Sequence, residues 1–212
     1  MAPMSVIPLL ATSLGRSDEQ ANITLAEGIV AGQNTNAIRE LVDLLNSKDK
    51  PLKSDALKTL YEVGERAPGM IAPFLAQFKN LLTNPDNRMV WGAMCAIDAI
   101  TSVKPEAVYV LLPQIMAAVD KGSVITRDHA VKALVKLASE DRFAKTAFPL
   151  LLEQLNTCPV NQLPMYAELV ATVSKGPAAK ETTAIISHRL DMLPTPAKRK
   201  RVEKVLKQLA KQ

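Results

Sequence analysis

The residue types that do most protein chemistry are scarce in this chain. His129 and His188 are the only histidines, and Cys95 and Cys158 the only cysteines. None of them has partners at metal-ligand or nucleophile spacing, so no metal, cofactor or catalytic residue is expected. Asp128 is adjacent to His129, but neighbouring residues on a helix do not face each other, and both histidines read as surface side chains. Two signals remain. Trp91 is the only tryptophan, a residue type enriched among interface anchors. The second signal is the run Lys198, Arg199, Lys200 and Arg201 with Lys204 close behind. Such clustered charge attracts nucleic acid, acidic protein or anionic lipid, or serves as a nuclear address. No aromatic residue lies there to stack on bases, which argues against specific single-strand binding. Its plainer reading is the polar face of a capping helix.

The elements that must position these side chains announce themselves by repetition. In Gly122–Ala138 the apolar residues Ala130, Ala133, Leu134 and Leu137 fall at i, i+3, i+4 and i+7, one face of an α-helix. Steps of 37 residues carry Ala130 to Ala93, Ala56 and Ala167, and Leu134 to Ile97, Leu60, Ile23 and Ala171. A second series starts at Ile38, Leu41 and Leu44 and maps to Leu75, Phe78 and Leu81, then Leu112, Ile115 and Ala118, then Pro149, Leu152 and Leu155. Each unit is therefore two helices, and the chain reads as about five such units with a period of 37 residues.

Composition agrees: 48% of residues are hydrophobic and only 4% aromatic, which suits helix layers better than strands. The net charge of +5 sits in the tail, where residues 195–212 hold seven basic side chains against Glu203. The rest has 19 basic and 20 acidic residues. No basic residue precedes Arg16, and Pro3 and Pro8 interrupt the apolar start, so no signal peptide is expected. No apolar run approaches the ~20 residues of a membrane span. Two distant cysteines fit a reducing, cytoplasmic setting.

Along the chain, Met4, Ile7 and Leu10 read as part of an N-terminal cap. Ser17 and Gln20 read as a capping box for a helix to about Val30. A helix over about Thr35–Asn46 opens the core repeats, and Asp49–Pro51, Asn84–Asp86, Lys121–Ser123 and Thr157–Pro159 are turn compositions. Pro68 and Pro105 suit helix starts, whereas Pro73, Pro113 and Pro149 fall inside helices and should bend them. Thr182–Leu193 and about Ala197–Ala210 are the last two helices. The whole of 1–212 reads as one array, with 1–33 as cap and first helix, 34–175 as core repeats and 176–212 as a basic C-terminal cap. The partial ends fit a nearly complete small array.

These residues resemble the HEAT-repeat pattern. Asp120, Arg127, Ala130, Ala133-Leu134 and Leu137 match the family's turn Asp followed by Arg, Ala, Ala-Leu and Leu of the second helix. Asn84-Pro85-Asp86 with Val90, Ala93, Ala96-Ile97 and Ile100 is a second match, with Val90 in the Arg place. Pro73, Pro113 and Pro149 are similar to the family's first-helix proline. Asp120 and Arg127 are expected to be structural, as a cap and a bond to a neighbouring turn. The resemblance implies an all-α, right-handed α-α superhelix, a HEAT-like and armadillo-like solenoid, with second helices on the concave side. Residues two before, two after and five after each core Ala would then face that concavity. The candidate partner-binding residues are Trp91, Cys95, Asp98, Tyr61, Lys58, Asp128, Lys132 and Met165. The family implies a non-enzymatic scaffold or adaptor for a partner protein or peptide. A likeness to the alkylpurine DNA glycosylases, of comparable length, implies instead a nucleic-acid role with Trp91, Tyr166 and Asp98 or Asp128 around an extruded base. The near balance of charge on the face speaks against that alternative.

Overall fold

The polypeptide is described over residues 5–211 by a computed structural model. All its regular structure is helical among those residues. It packs as two compact units, Met1–Ala130 and Val131–Gln212.

In the first unit, α1 (Gln20–Ala31), α2 (Thr35–Leu44) and α3 (Lys50–Arg66) are followed by α4 (Pro68–Ile71), α5 (Leu75–Leu81) and α6 (Asn87–Thr101). Then come α7 (Pro105–Val110), α8 (Leu112–Lys121) and α9 (Val124–Ala138), within which the division falls. The layer of second helices is α1 against α3 against α6, while α2, α4, α5 and α7 flank it. The second unit continues with α10 (Asp141–Thr157), α11 (Leu163–Ala171), α12 (Pro177–Arg189) and α13 (Pro196–Leu209). There α11 packs on α13, with α10 and α12 beside them. The cores are the repeating apolar positions: Ala56, Leu60, Ala93, Ile97, Ala130, Leu134 and Ala167 are fully buried.

Caps set the starts. Asp49 Oδ1 accepts from the Leu52 N–H at 3.1 Å, Asp86 Oδ1 from Arg88 at 2.9 Å and Ser123 Oγ from Thr126 at 3.3 Å. These caps stand one period apart, each satisfying an orphan N–H of a second helix. For α9 the cap is therefore Ser123, not the expected Asp120. Nor does α1 start on Ser17: it begins at Gln20, whose N–H goes to Asp18 Oδ1 at 2.9 Å. At the N-terminus Val6, Leu10 and Ala11 are buried, while Met4 of the expected cap lies outside the described residues.

Proline acts in two ways. Pro68 and Pro105 begin α4 and α7, where the missing N–H is harmless. Pro73 lies in the 3-10 turn Ala72–Phe74 that separates α4 from α5, and Pro113 follows the break between α7 and α8. Each removes a backbone bond and crowds the preceding turn, so these first helices are broken where bends were expected. Pro149 stays inside an unbroken α10. That helix also departs from the expected register: its buried side is Phe143, Ala147, Leu151, Gln154 and Leu155, with Pro149 exposed and Leu152 half-buried. One residue of slip relative to the period turns Leu151, rather than Leu152, inward.

Candidate functional site

Trp91 owes its position to its neighbour. A Cβ on Gly92 would meet Leu57 Cδ2 at 2.6 Å, so only glycine lets α6 lie this close to α3. The close approach sets the Trp91 ring against Tyr61, with centroids 5.8 Å apart and planes tilted by 57°, within the favourable range for aromatic pairs. Trp91 is half-buried. Lys58 Nζ lies 4.8 Å from the centre of the Tyr61 ring, one turn back on α3.

A chain of alternating charges runs beside this pair. Arg88 meets Glu19 at 2.9 Å, Glu19 meets Lys58 at 3.0 Å, and Lys58 meets Glu62 at 2.7 Å. Glu62 then meets Arg66 at 2.6 Å, and Arg66 meets Glu27 at 3.3 Å. Burial alone would raise the Glu62 carboxyl, but hydrogen bonds from Lys58 and Arg66 outweigh it and hold the group below the usual range. Burial likewise opposes the Lys58 charge, yet Glu62, Tyr61 and Glu19 together raise its pKa. Burial pushes the Tyr61 phenol up to about 12 against the pull of Lys58. The chain of ions is balanced, so it offers a neutral rim to anything seated on Trp91.

The other expected residues scatter. Tyr61, Cys95 and Asp98 are buried, at 6%, 5% and 6% exposure. They support the face from below and present little surface to a partner. Asp98 Oδ2 lies 2.8 Å from His129 Nδ1, tying α6 to α9. His129 is thus half-buried and paired, not the surface histidine expected, because its partner comes from the preceding repeat rather than from Asp128. Asp128 is half-buried on α9, while Lys132 and Met165 lie in the second unit, also half-buried. Tyr166 is fully buried, so it cannot extend an aromatic patch or face an extruded base. Among the described residues no group of three His, Cys, Asp or Glu could hold a metal.

In the basic tail the arginines are engaged. Arg201 forks onto Glu168 with bonds of 2.9 and 2.6 Å and holds that carboxyl below its usual range. Arg199 lies 3.5 Å from Asp191, and Lys198 Nζ donates to Asn161 Oδ1. Lys200 and Lys204 are exposed.

Two structural polar sites went unforeseen. Buried Arg189 donates to the Leu155 and Cys158 carbonyls at 2.6 Å each and lies 3.1 Å from Cys158 Sγ. It thereby satisfies carbonyls at the end of α10. Buried Asn22 accepts from the Ala11 N–H at 3.0 Å and donates to Asp55 Oδ1 at 2.9 Å, fastening the N-terminal segment.

Neither a family model nor a curated protein matches this sequence. Solved structures do. An engineered protein aligns at TM-score 0.66 and 19% identity, over 98% of each chain. A designed armadillo repeat protein in complex with the peptide (KR)4 aligns at TM-score 0.66 and 17% identity, over 97% of this chain and 100% of that one. The archaeal HEAT-like repeats protein from Thermococcus onnurineus NA1 aligns at TM-score 0.53 and 16% identity, over 100% of this chain and 99% of that one. The fold is a HEAT/armadillo-like α-solenoid. In a solenoid of this kind each repeat contacts only its neighbours, which is why the cross-helix pairs around Trp91 come from successive second helices. Among the described residues, no helix of this solenoid is long and apolar enough to cross a membrane.

Proposed function

We propose that this solenoid is a non-enzymatic scaffold that holds a partner protein or peptide against its second helices, with Trp91 as the central anchor. The observation that carries this reading is Trp91, half-buried against the buried Tyr61 ring and rimmed by the Arg88–Glu19–Lys58 ion chain. An aromatic anchor inside a polar rim is the usual anatomy of an interface hot spot. Because the whole ion chain from Arg88 to Glu27 is balanced, three cations against three carboxylates, the complement on the partner is an apolar side chain on a helix or extended segment. A cytoplasmic setting accords with a chain of only two cysteines far apart in sequence.

The test is affinity capture from nuclease-treated lysate of the source cells, comparing the wild type with Trp91→Glu. The expected result is a discrete protein held by the wild type and bound at least about 30-fold more weakly by the variant, as loss of a hot spot of about 2 kcal/mol requires. Thermal unfolding of both proteins confirms that the fold is intact. Undiminished capture by a folded variant would remove Trp91 from the interface.

A further inference from the structure

The helix α13 divides its cations between two jobs. Both arginines and Lys198 turn back onto the second unit, to Asp191, Glu168 and Asn161. Lys200, Lys204 and Lys207 are exposed and make no hydrogen bond or ion pair among the described residues, although the Lys204 charge also helps to hold the Glu168 carboxyl low. They stand at i, i+4 and i+7, so they form one row on one face, about 10 Å long at ~1.5 Å per residue. Exposed Lys211 follows just beyond the helix end. The opposite face is Val202, Val205 and Leu209, all buried against the unit.

From this arrangement we infer a second binding surface: the lysine row docks on the phosphate backbone of duplex nucleic acid, without reading sequence. Three features of the row select that occupant. The apolar face of α13 is already used, so the helix has nothing to insert into a bilayer. The guanidinium forks, which match carboxylates two bonds at a time, face the protein's own acids, with Arg201 forked onto Glu168 and Arg199 3.5 Å from Asp191, so the open row consists of ammonium point charges. A straight row of point charges without aromatic residues suits the regular phosphates of a duplex, and supplies neither stacking for single strands nor forks for bases. The rest of the chain is nearly neutral, at 19 basic against 20 acidic residues over 1–194, so attraction is concentrated in the tail.

The 212-residue chain is titrated onto a fluorescein-labelled duplex of about 20 base pairs, long enough for several phosphate contacts, with binding read by anisotropy. Three or four phosphate contacts predict a fall of about 40- to 150-fold in affinity between about 50 and 200 mM salt, with no difference between two unrelated sequences. The variant Lys200→Gln/Lys204→Gln/Lys207→Gln should lose most of that binding and flatten the salt dependence. Lys48→Gln/Lys104→Gln/Lys121→Gln removes the same charge from exposed sites in the first unit and should leave binding nearly intact. Circular dichroism and melting establish that both variants are folded. No binding at low salt would overturn the inference, as would equal losses in the two variants. Preference for phosphatidylserine vesicles or poly-glutamate over the duplex at matched charge would overturn it too.

Discussion

Glu62 sits between two cations with its side chain almost enclosed, and its ionisation is linked to stability. Its folded pKa is below the ordinary 4.5, so its contribution is complete above about pH 4.5 and is lost as the pH falls through the lower folded value. Glu62→Gln should cost about 2 kcal/mol at neutral pH, the scale of hydrogen bonds to charged groups. Melting temperatures of wild type and variant should converge on acidification. Convergence on raising the pH instead would show that the ion chain does not govern Glu62. In the second unit Arg189 stabilises by donating to backbone carbonyls. Arg189→Met takes its donors from two carbonyls at the end of α10, leaving Leu155 O only the weak Cys158 thiol, and urea unfolding should register a loss of about 2–4 kcal/mol. Neither Arg189 nor the Asp98–His129 pair was visible from local spacing. Yet several cross-helix side-chain pairs share a signature: their separations, 31 for Asp98–His129, 33 for Asn22–Asp55 and for Glu168–Arg201, and 37 for Asn161–Lys198, cluster about the repeat length, although Arg88–Glu19 spans 69. Scanning complementary polar types within a few residues of one period would have found them. Which of those candidates actually meet depends on crossing geometry that one sequence does not encode locally.

Among the elements, the contact of α3 with α6 depends on Gly92. Gly92→Ala places a Cβ 2.6 Å from Leu57 Cδ2 and 2.9 Å from its Cγ, and with Leu57 buried it should push the helices apart, at a cost of about 1–3 kcal/mol for overpacking. The same shift separates Trp91 from Tyr61, so near-ultraviolet circular dichroism should lose aromatic signal along with stability. An unchanged spectrum would mean that Leu57 yields instead. Helix pairs, turns and most core positions were legible, because apolar periodicity and proline placement are local properties. The slip in α10 was not. Leu151 and Leu152 are equally apolar, and Leu151 shares the buried side with Phe143 and Ala147, which composition alone does not select. The fates of the three helix prolines were equally hidden, since an identical residue breaks two first helices and is absorbed by the third.

For the molecule as a whole, two compact units built from short-range contacts imply that damage stays near its source. Leu134→Ala in the second unit opens a cavity at a fully buried position and should cost about 2–5 kcal/mol. Native-state hydrogen exchange should then accelerate first in the helices beside α9, and only later in α1 or α13. Uniform acceleration would indicate a single cooperative core. The two sulfurs give this question a chemical clock. Cys95 belongs to the first unit and Cys158 to the second, and both are nearly inaccessible. An alkylating reagent can modify either one only when its surroundings come apart. The two rates of modification, resolved by mass spectrometry on one sample, therefore measure how often each half opens. A partner added to the solution should slow the half to which it binds.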